Sequence, residues 1–352
     1  MAINKRIIRS NDEAAAGASF NTVTYTGNGS TQSISTVGFQ PDFVWIKDRD
    51  GADNHALTDS VRGTNKILFS NLTNSESTDT DNITSFDTNG FSLGNSPRVN
   101  SNGEDHVAWC WKGAGAAVSN TDGTITSQVS ANQDAGFSIV KYTGDSTQES
   151  ATAGHGLSEA PQLIFTKNLN GSARDWVVYC SEAPAANVPY GGRLNSTDVF
   201  FTAPQFVGNS GVPTSSVLTF QSGTYPFQVI QNGVSYIAYC FHSVDGYQKV
   251  GSYTGTGGVN SVSFGFAPRF IIVKRTDSTG SWRMYDSVRD SGTRPLRIDH
   301  NLQANASTAE YDSSGSADGY MTFTTDGISF LSGENHPDLN ASGGNYIYLA
   351  IA

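Results

Sequence analysis

The chain repeats itself three times, and the period of that repeat restricts its fold more than any other feature. Three openings align: YTGNGSTQSISTVGFQPDFVWIKDRD from Tyr25, YTGDSTQESATAGHGLSEAPQLIFTKNLN from Tyr142, and YTGTGGVNSVSFGFAPRFIIVKRTD from Tyr253. Each begins Tyr-Thr-Gly and crosses a small polar stretch. Each then reaches a proline (Pro41, Pro161, Pro268) that leads into an apolar run ending in lysine (Lys47, Lys167, Lys274). DSVRG at Asp59 matches DSVRD at Asp286, and ILFSNLTNSEST at Ile67 echoes LRIDHNLQANAST at Leu296. Each unit closes on an apolar-aromatic run: HVAWCWKG from His106, SYIAYCFH from Ser235, NYIYLAIA from Asn345. The three tyrosines are 117 and 111 residues apart. Solenoids repeat every 20–50 residues or so, so this period means tandem copies of a whole domain, each the size of a β-sandwich.

Within a unit the pattern reads as strands. Phe43–Lys47 and Phe270–Lys274 are short apolar runs bounded by proline and a polar turn. Proline is tolerated there because it precedes the hydrogen-bonded ladder. Asn89-Gly90 and Asp326-Gly327 sit between strand-like segments and would supply the positive φ of tight hairpins. No long window carries a 3.6-residue period. Alternation puts Trp109 and Trp111 on one strand face and Cys110 on the other, with both faces apolar. The fold expected is all-β: three tandem antiparallel β-sandwich, jelly-roll-like domains with little helix. The expected divisions are an N-terminal anchoring segment at 1–19, repeat 1 at 20–115, a linker plus repeat 2 at 116–247, and repeat 3 at 248–352. The Gly/Ala/Ser/Asn-rich stretch Gly113–Gly136 reads as a connector, its middle a candidate first strand of unit 2. Units 2 and 3, with no such connector, are expected to sit closer together than units 1 and 2.

Composition removes several classes of function. The net charge is −11, and no basic cluster is present, which argues against a nucleic-acid partner. The apolar runs are strand-length, too short for a bilayer-spanning helix, so no membrane insertion is expected. The three cysteines, Cys110, Cys180 and Cys240, form no CxxC pair and read as buried thiols. The six histidines show no HxH or HExxH spacing. Asp48-Arg-Asp-Gly51 differs from an EF-hand loop, since glycine falls fourth and Asp59 twelfth, and reads as a polar surface loop. No GxSxG elbow is present. No catalytic residue, cofactor or metal site is therefore expected, and the chain is not read as an enzyme. Trp45, Trp109, Trp111, Trp176 and Trp282 read as core. The aberrant middle of unit 2 supplies the aromatic ligand-contact candidates, Tyr190, Tyr225 and Phe227.

The Tyr-Thr-Gly opening, the proline-led lysine strand and the closing Ala-Trp-Cys-Trp together resemble a repeated β-domain. That domain occurs in tail-fibre-like and other virion structural proteins of marine and cyanobacterial phages. The phrase NTDGTITSQVSANQDAGFSIVKYTG, Asn120–Gly144, is very close to that family's inter-domain pattern. The likeness covers about residues 20–352 and departs in the middle of unit 2. It implies a virion structural protein, most of all a tail-fibre-type appendage, assembled in the host cytoplasm and carried on the particle. A capsid-decorating or tail-adaptor protein, or a glycan-binding module, is the alternative. The partners implied are other virion proteins, further copies in a trimer, and a host-surface glycan. Lys5, Arg6 and Arg9, ahead of the first repeat, are the attachment candidates.

Overall fold

The computed structural model describes residues 19–145, 150–183, 190–202, 212–221, 229–289, 297–312 and 321–352. It is 2% helical and 45% strand, and its strand pairings are antiparallel. Pro97–Asn100 forms a single helical turn, α1.

Each unit is built on one large sheet with the same centre. Its opening strand (Phe20–Thr26, Phe137–Thr143, Gln248–Thr254) pairs with its closing strand (Asp105–Trp111, Ser235–Phe241, Asn345–Ile351). The closing strand in turn pairs with the lysine strand (Phe43–Asp48, Leu163–Asn168, Phe270–Arg275). A fourth strand follows on the far side of the lysine strand: Ala56–Asp59, Val177–Cys180 or Arg283–Asp286. A smaller sheet covers one face of each large one.

Strand alternation then divides the side chains between two cores. In unit 1, Val23, Val44, Ile46, Ala108 and Cys110 pack against Ile34, Ile83, Phe91 and Leu93 of the small sheet. Units 2 and 3 fill their own sandwiches the same way. The opposite face of all three large sheets enters one common cluster. It holds Phe43, Trp45, Val107, Trp109 and Trp111 from unit 1, and Leu163, Phe165, Ile237, Tyr239 and Phe241 from unit 2. Unit 3 adds Phe270, Ile272, Ile347, Leu349 and Ile351. Aromatic rings cross between units, with centroids 4.2 Å apart for Phe43–Tyr239, 5.5 Å for Phe20–Phe270 and 5.9 Å for Phe165–Trp282. The two apolar faces of the closing strand thus serve different partners: the unit's own small sheet and the other two units.

This packing changes one expectation and extends another. Units 2 and 3 are not set apart from unit 1, because all three share the central cluster. The connector holds the strand expected in its middle, at Ser127–Asn132, and a further one before it. Val118–Asn120 and Ser127–Asn132 form the edge of the large sheet of unit 2, and the backbone N–H groups of Gly113 and Gly115 donate to Asp42 Oδ2 at 2.8 and 3.2 Å. Small polar residues there mark an edge strand with one solvated face, not a loose tether. Of the two hairpin glycines, Gly327 has the expected positive φ, +157°, and Gly90 does not. Gly90 opens a strand, opposite Asp87, and a Cβ on it would lie 1.8 Å from Ile34 O. Gly327 stands in the same relation to Val262 O, at 2.0 Å. They are needed for close backbone approach between strands.

Polar bonds close the contacts between units into a ring. Unit 1 donates to unit 3 through Trp109 Nε1 to Asp286 Oδ2 at 3.0 Å. Unit 2 donates to unit 1 through the Tyr239 hydroxyl to Asp59 Oδ2 at 2.8 Å. Trp109, Tyr239 and Leu349 hold one register position, and Asp59, Cys180 and Asp286 another. At the third junction both partners are therefore apolar: Leu349 replaces the donor where Cys180 replaces the acceptor. Each aspartate is also held by the arginine three residues on, Arg62 at 2.5 Å and Arg289 at 2.6 Å, with side chains fully buried.

Deleting a buried charge partner costs more than deleting a neutral donor to it. Asp59→Ala leaves Arg62 buried without its main partner and should cost about 3–5 kcal/mol. Tyr239→Phe removes the hydrogen bond to that carboxylate and a longer one, 3.4 Å, accepted from Arg62 Nη2, leaves the ion pair in place, and should cost about 1.5–3 kcal/mol. Urea unfolding of the two variants measures this. Equal losses, or the reverse order, would contradict the assignment of the junction.

Candidate functional site

The sequence candidates fall in different places. Lys5, Arg6, Arg9, Tyr225 and Phe227 lie outside the described residues. Tyr190 opens the strand Tyr190–Arg193, paired with Val177–Cys180 on one side and Phe201–Thr202 on the other. The tryptophans read as core are core: Trp45, Trp109, Trp111, Trp176 and Trp282 are each at most 3% exposed.

The best-defined chemistry of the chain is at the junctions between units. His55, Trp176 and Trp282 each immediately precede the fourth strand of their unit, and each reaches a carbonyl of the next unit in the ring. Trp176 Nε1 donates to Phe69 O and Trp282 Nε1 to Arg193 O, both at 2.8 Å, while His55 Nε2 lies 3.0 Å from Gln303 O. The three acceptors are themselves equivalent, opposite the first residue of the fourth strand. Behind each ring the backbone N–H donates to an asparagine Oδ1: Asn71 at 3.2 Å, Asn195 and Asn305 at 2.7 Å. Sequence reading missed Asn195, because unit 2 diverges here. The surviving signal is the order Leu-Asn-Ser-Thr at 194–197 against Ser-Asn-Leu-Thr at 70–73.

The repeated lysines are buried at the same junctions. Lys167 Nζ donates to Thr73 O of unit 1 at 2.8 Å, and Lys274 Nζ to Thr197 O of unit 2 at 3.1 Å. Lys47 Nζ donates to the carbonyls of Asp48 and Gly51 in its own loop, the latter at 2.9 Å. Burial pushes all three ammonium groups down to about 8. Unit 1 makes its loop contact with unit 3 by other means, a salt bridge from Arg49 to Glu310 at 2.7 Å and Glu310 N to Arg49 O at 2.8 Å.

The cysteines are free and buried. Cys110 and Cys240 occupy the same position on their closing strands. Burial raises the Cys110 thiol well above its ordinary value and pushes Cys180 and Cys240 up to about 12, the opposite of an activated nucleophile.

The surface carries clefts as well. A cleft of about 650 Å³ opens between Ser19, Lys112, Asn132, Val244, Asp245 and Tyr247, where the three units meet the segments that link them. A second, of about 430 Å³, is lined by Arg283, Asn301, Glu310, Tyr311 and His336, with Tyr311 50% exposed. Among the described residues, the carboxylates of Asp48, Asp53 and Glu104 in unit 1 come within 4.8 Å of one another. No helix among the described residues is long and apolar enough to cross a membrane.

From residue 15 to residue 352 the chain matches one family, described as a domain of unknown function (DUF7483). The chain belongs to the DUF7483 family. No curated protein matches it. The DUF7483 match runs through all three sandwiches, so the family unit coincides with the body that shares the central core.

The geometry at His55 predicts acid sensitivity. Its Nδ1 accepts from Trp45 Nε1 at 2.8 Å, which leaves Nε2 to carry the proton toward Gln303 O. A second proton would have to displace the Trp45 bond. Burial, with the Lys47 charge nearby, pushes the group down to about 3. The unfolded chain takes up that proton near pH 6.5 while the folded chain does not. Stability from this group is therefore complete above pH 6.5 and falls as the pH drops toward 3. At pH 5 the loss should be about 2 kcal/mol. In His55→Gln the fall in urea midpoint between pH 7 and pH 5 should be smaller than in the parent. An unchanged fall would contradict the assignment.

Proposed function

We propose that the protein is a structural component of a phage particle, of the tail-fibre type, assembled in the host cytoplasm and displayed on the virion. The observation that carries this reading is the fusion of three sandwiches on one aromatic core. An appendage outside a cell must keep its shape under load and without a reducing environment. A dry core closed by buried polar bonds, with free thiols sealed inside it, suits that task. The repeat motifs that resemble phage virion proteins supply the rest of the argument. The reading assigns the chain no catalytic step. A capsid-decorating or tail-adaptor role would use the same rigid body.

The proposed attachment element is the segment holding Lys5, Arg6 and Arg9. Among the described strands none begins before Phe20, so the segment can be removed without touching them. The proposed assembly is a homotrimer. The flanks between repeats are occupied within the chain, so contacts between copies would use the outer sheets and their edges. A second reading, binding of a host-surface glycan, is favoured by the half-exposed Tyr311 beside the cleft lined by Arg283, Asn301 and His336. A flat ring next to hydrogen-bonding groups fits the apolar face of a pyranose.

A chain lacking residues 1–18 should keep the parent's circular dichroism and fail to join particles, and the full chain should sediment as a trimer. Normal incorporation of the truncated chain, or a monomer at particle-like concentrations, would count against the proposal. Saturable binding to host glycan that Tyr311→Ala abolishes would favour the second reading.

A further inference from the structure

We propose that Asp48, Asp53 and Glu104 form a binding site for one hard divalent cation, Ca²⁺, in unit 1. The three carboxylates come from two places in the sequence. Asp48 ends the lysine strand and Asp53 follows in the next loop, while Glu104 precedes the closing strand. Pairing of those two strands, with Asp48 opposite His106, brings them together, and one oxygen from each lies within 4.8 Å of the others.

The second observation is the state of Asp48. It is 0% exposed. Its Oδ1 accepts from the N–H groups of Asp50 and Gly51 at 2.8 and 3.0 Å, but its Oδ2 has no hydrogen-bond partner. A buried carboxylate oxygen without a donor is costly. Oδ2 points toward Gly51, where a Cβ would approach it to 2.5 Å, with Asp53 Oδ2 at 3.6 Å from the same place. Glycine thus keeps this side of the carboxylate open.

The cations nearby are committed elsewhere. Lys47 Nζ donates to the Asp48 and Gly51 carbonyls, and Arg49 pairs with Glu310. The equivalent positions in the other units show how this corner is closed without a metal. In unit 2 Asn168 replaces Asp48, and its Nδ2 donates to Asn170 O and Ser172 O, both at 2.8 Å. In unit 3 Arg275 stands there, 2.8 Å from Asp277. An amide and a guanidinium bring their own donors. Three carboxylates bring none, and an all-oxygen set without sulfur or imidazole selects a hard ion over zinc or copper. Asp53 and Glu104 are only partly buried, so the ion has a way in. Bound there, it would fix the loop that carries Arg49 to the junction with Glu310 in unit 3, and so tie unit 1 to unit 3 more tightly. This inference does not depend on the virion reading.

The test is isothermal titration calorimetry of the full chain with CaCl₂, and with MgCl₂ for comparison. One Ca²⁺ per chain is expected, with Kd of about 10⁻⁴–10⁻³ M given the Lys47 charge nearby. Binding to the folded state alone should raise the melting temperature as Ca²⁺ is added. Asp48→Asn installs the residue unit 2 uses. It should fold, lose the binding, and melt at the same temperature with and without Ca²⁺. Glu104→Gln, at the open side, should weaken binding at least about tenfold and gives the answer if Asp48→Asn does not fold. No saturable binding at about 10 mM Ca²⁺, beyond the weakest class of protein sites, would overturn the proposal in favour of carboxyls that share a proton. Binding unchanged in Glu104→Gln would overturn it as well.

Discussion

Each large sheet is apolar on both faces, and it has only one small sheet to cover it. The second face has to be buried against something. Here the something is the same face of the other two sheets. Residues as large as Trp109, Trp111, Tyr239, Phe241 and Phe270 point into the common cluster, where each ring finds rings from another unit. Most of the remaining structure follows from this arrangement. The fourth strands lie beside the junctions, the lysines are buried because their loops face a neighbouring unit, and the aromatic or histidine ring before each fourth strand reaches across.

A dry three-way core needs more than apolar area to hold one register. The buried hydrogen bonds supply direction. The bonds from the rings before the three fourth strands all run the same way, from unit 1 to unit 3, unit 3 to unit 2 and unit 2 to unit 1. Units from one repeat therefore pack head to tail and close after three, as heterologous contacts do when the rotation closes. The junctions have diverged in pairs. A donor faces an aspartate at two of them, and Leu349 occurs with Cys180 at the third. A leucine opposite an aspartate would strand a charge, and a tyrosine opposite a cysteine would strand a hydroxyl. Unit 1 diverges again at His55, where a smaller ring is accompanied by Trp45 in the adjacent strand, and the two are hydrogen-bonded.

The sequence was legible where the signal is local or repeated. Period-2 alternation in HVAWCWKG placed Cys110 opposite to Trp109 and Trp111, and the structure agrees. The motif alignment located the lysine and closing strands of every unit. Alternation says that a face is buried but not against what, so the common core was not visible. Trp109 and Asp286 are brought together by folding, with no spacing rule to announce it. The strand Tyr190–Arg193 escaped notice because Gly191 and Gly192 carry no apolar signal. Gly192 is required there because the Phe200 ring lies where its Cβ would be, 2.3 Å away. The acidic cluster was hidden for the same reason as the core. Asp48 and Asp53 suggest a surface loop until strand pairing delivers Glu104.

The three sandwiches form one body through a shared core. Scanning calorimetry of the intact chain is the experiment that decides this. A shared core predicts one transition whose calorimetric enthalpy equals its van't Hoff enthalpy, since no unit can unfold without exposing the inner faces of the other two. Two or three resolved transitions, each with its own smaller van't Hoff enthalpy, would show independent domains and contradict the account.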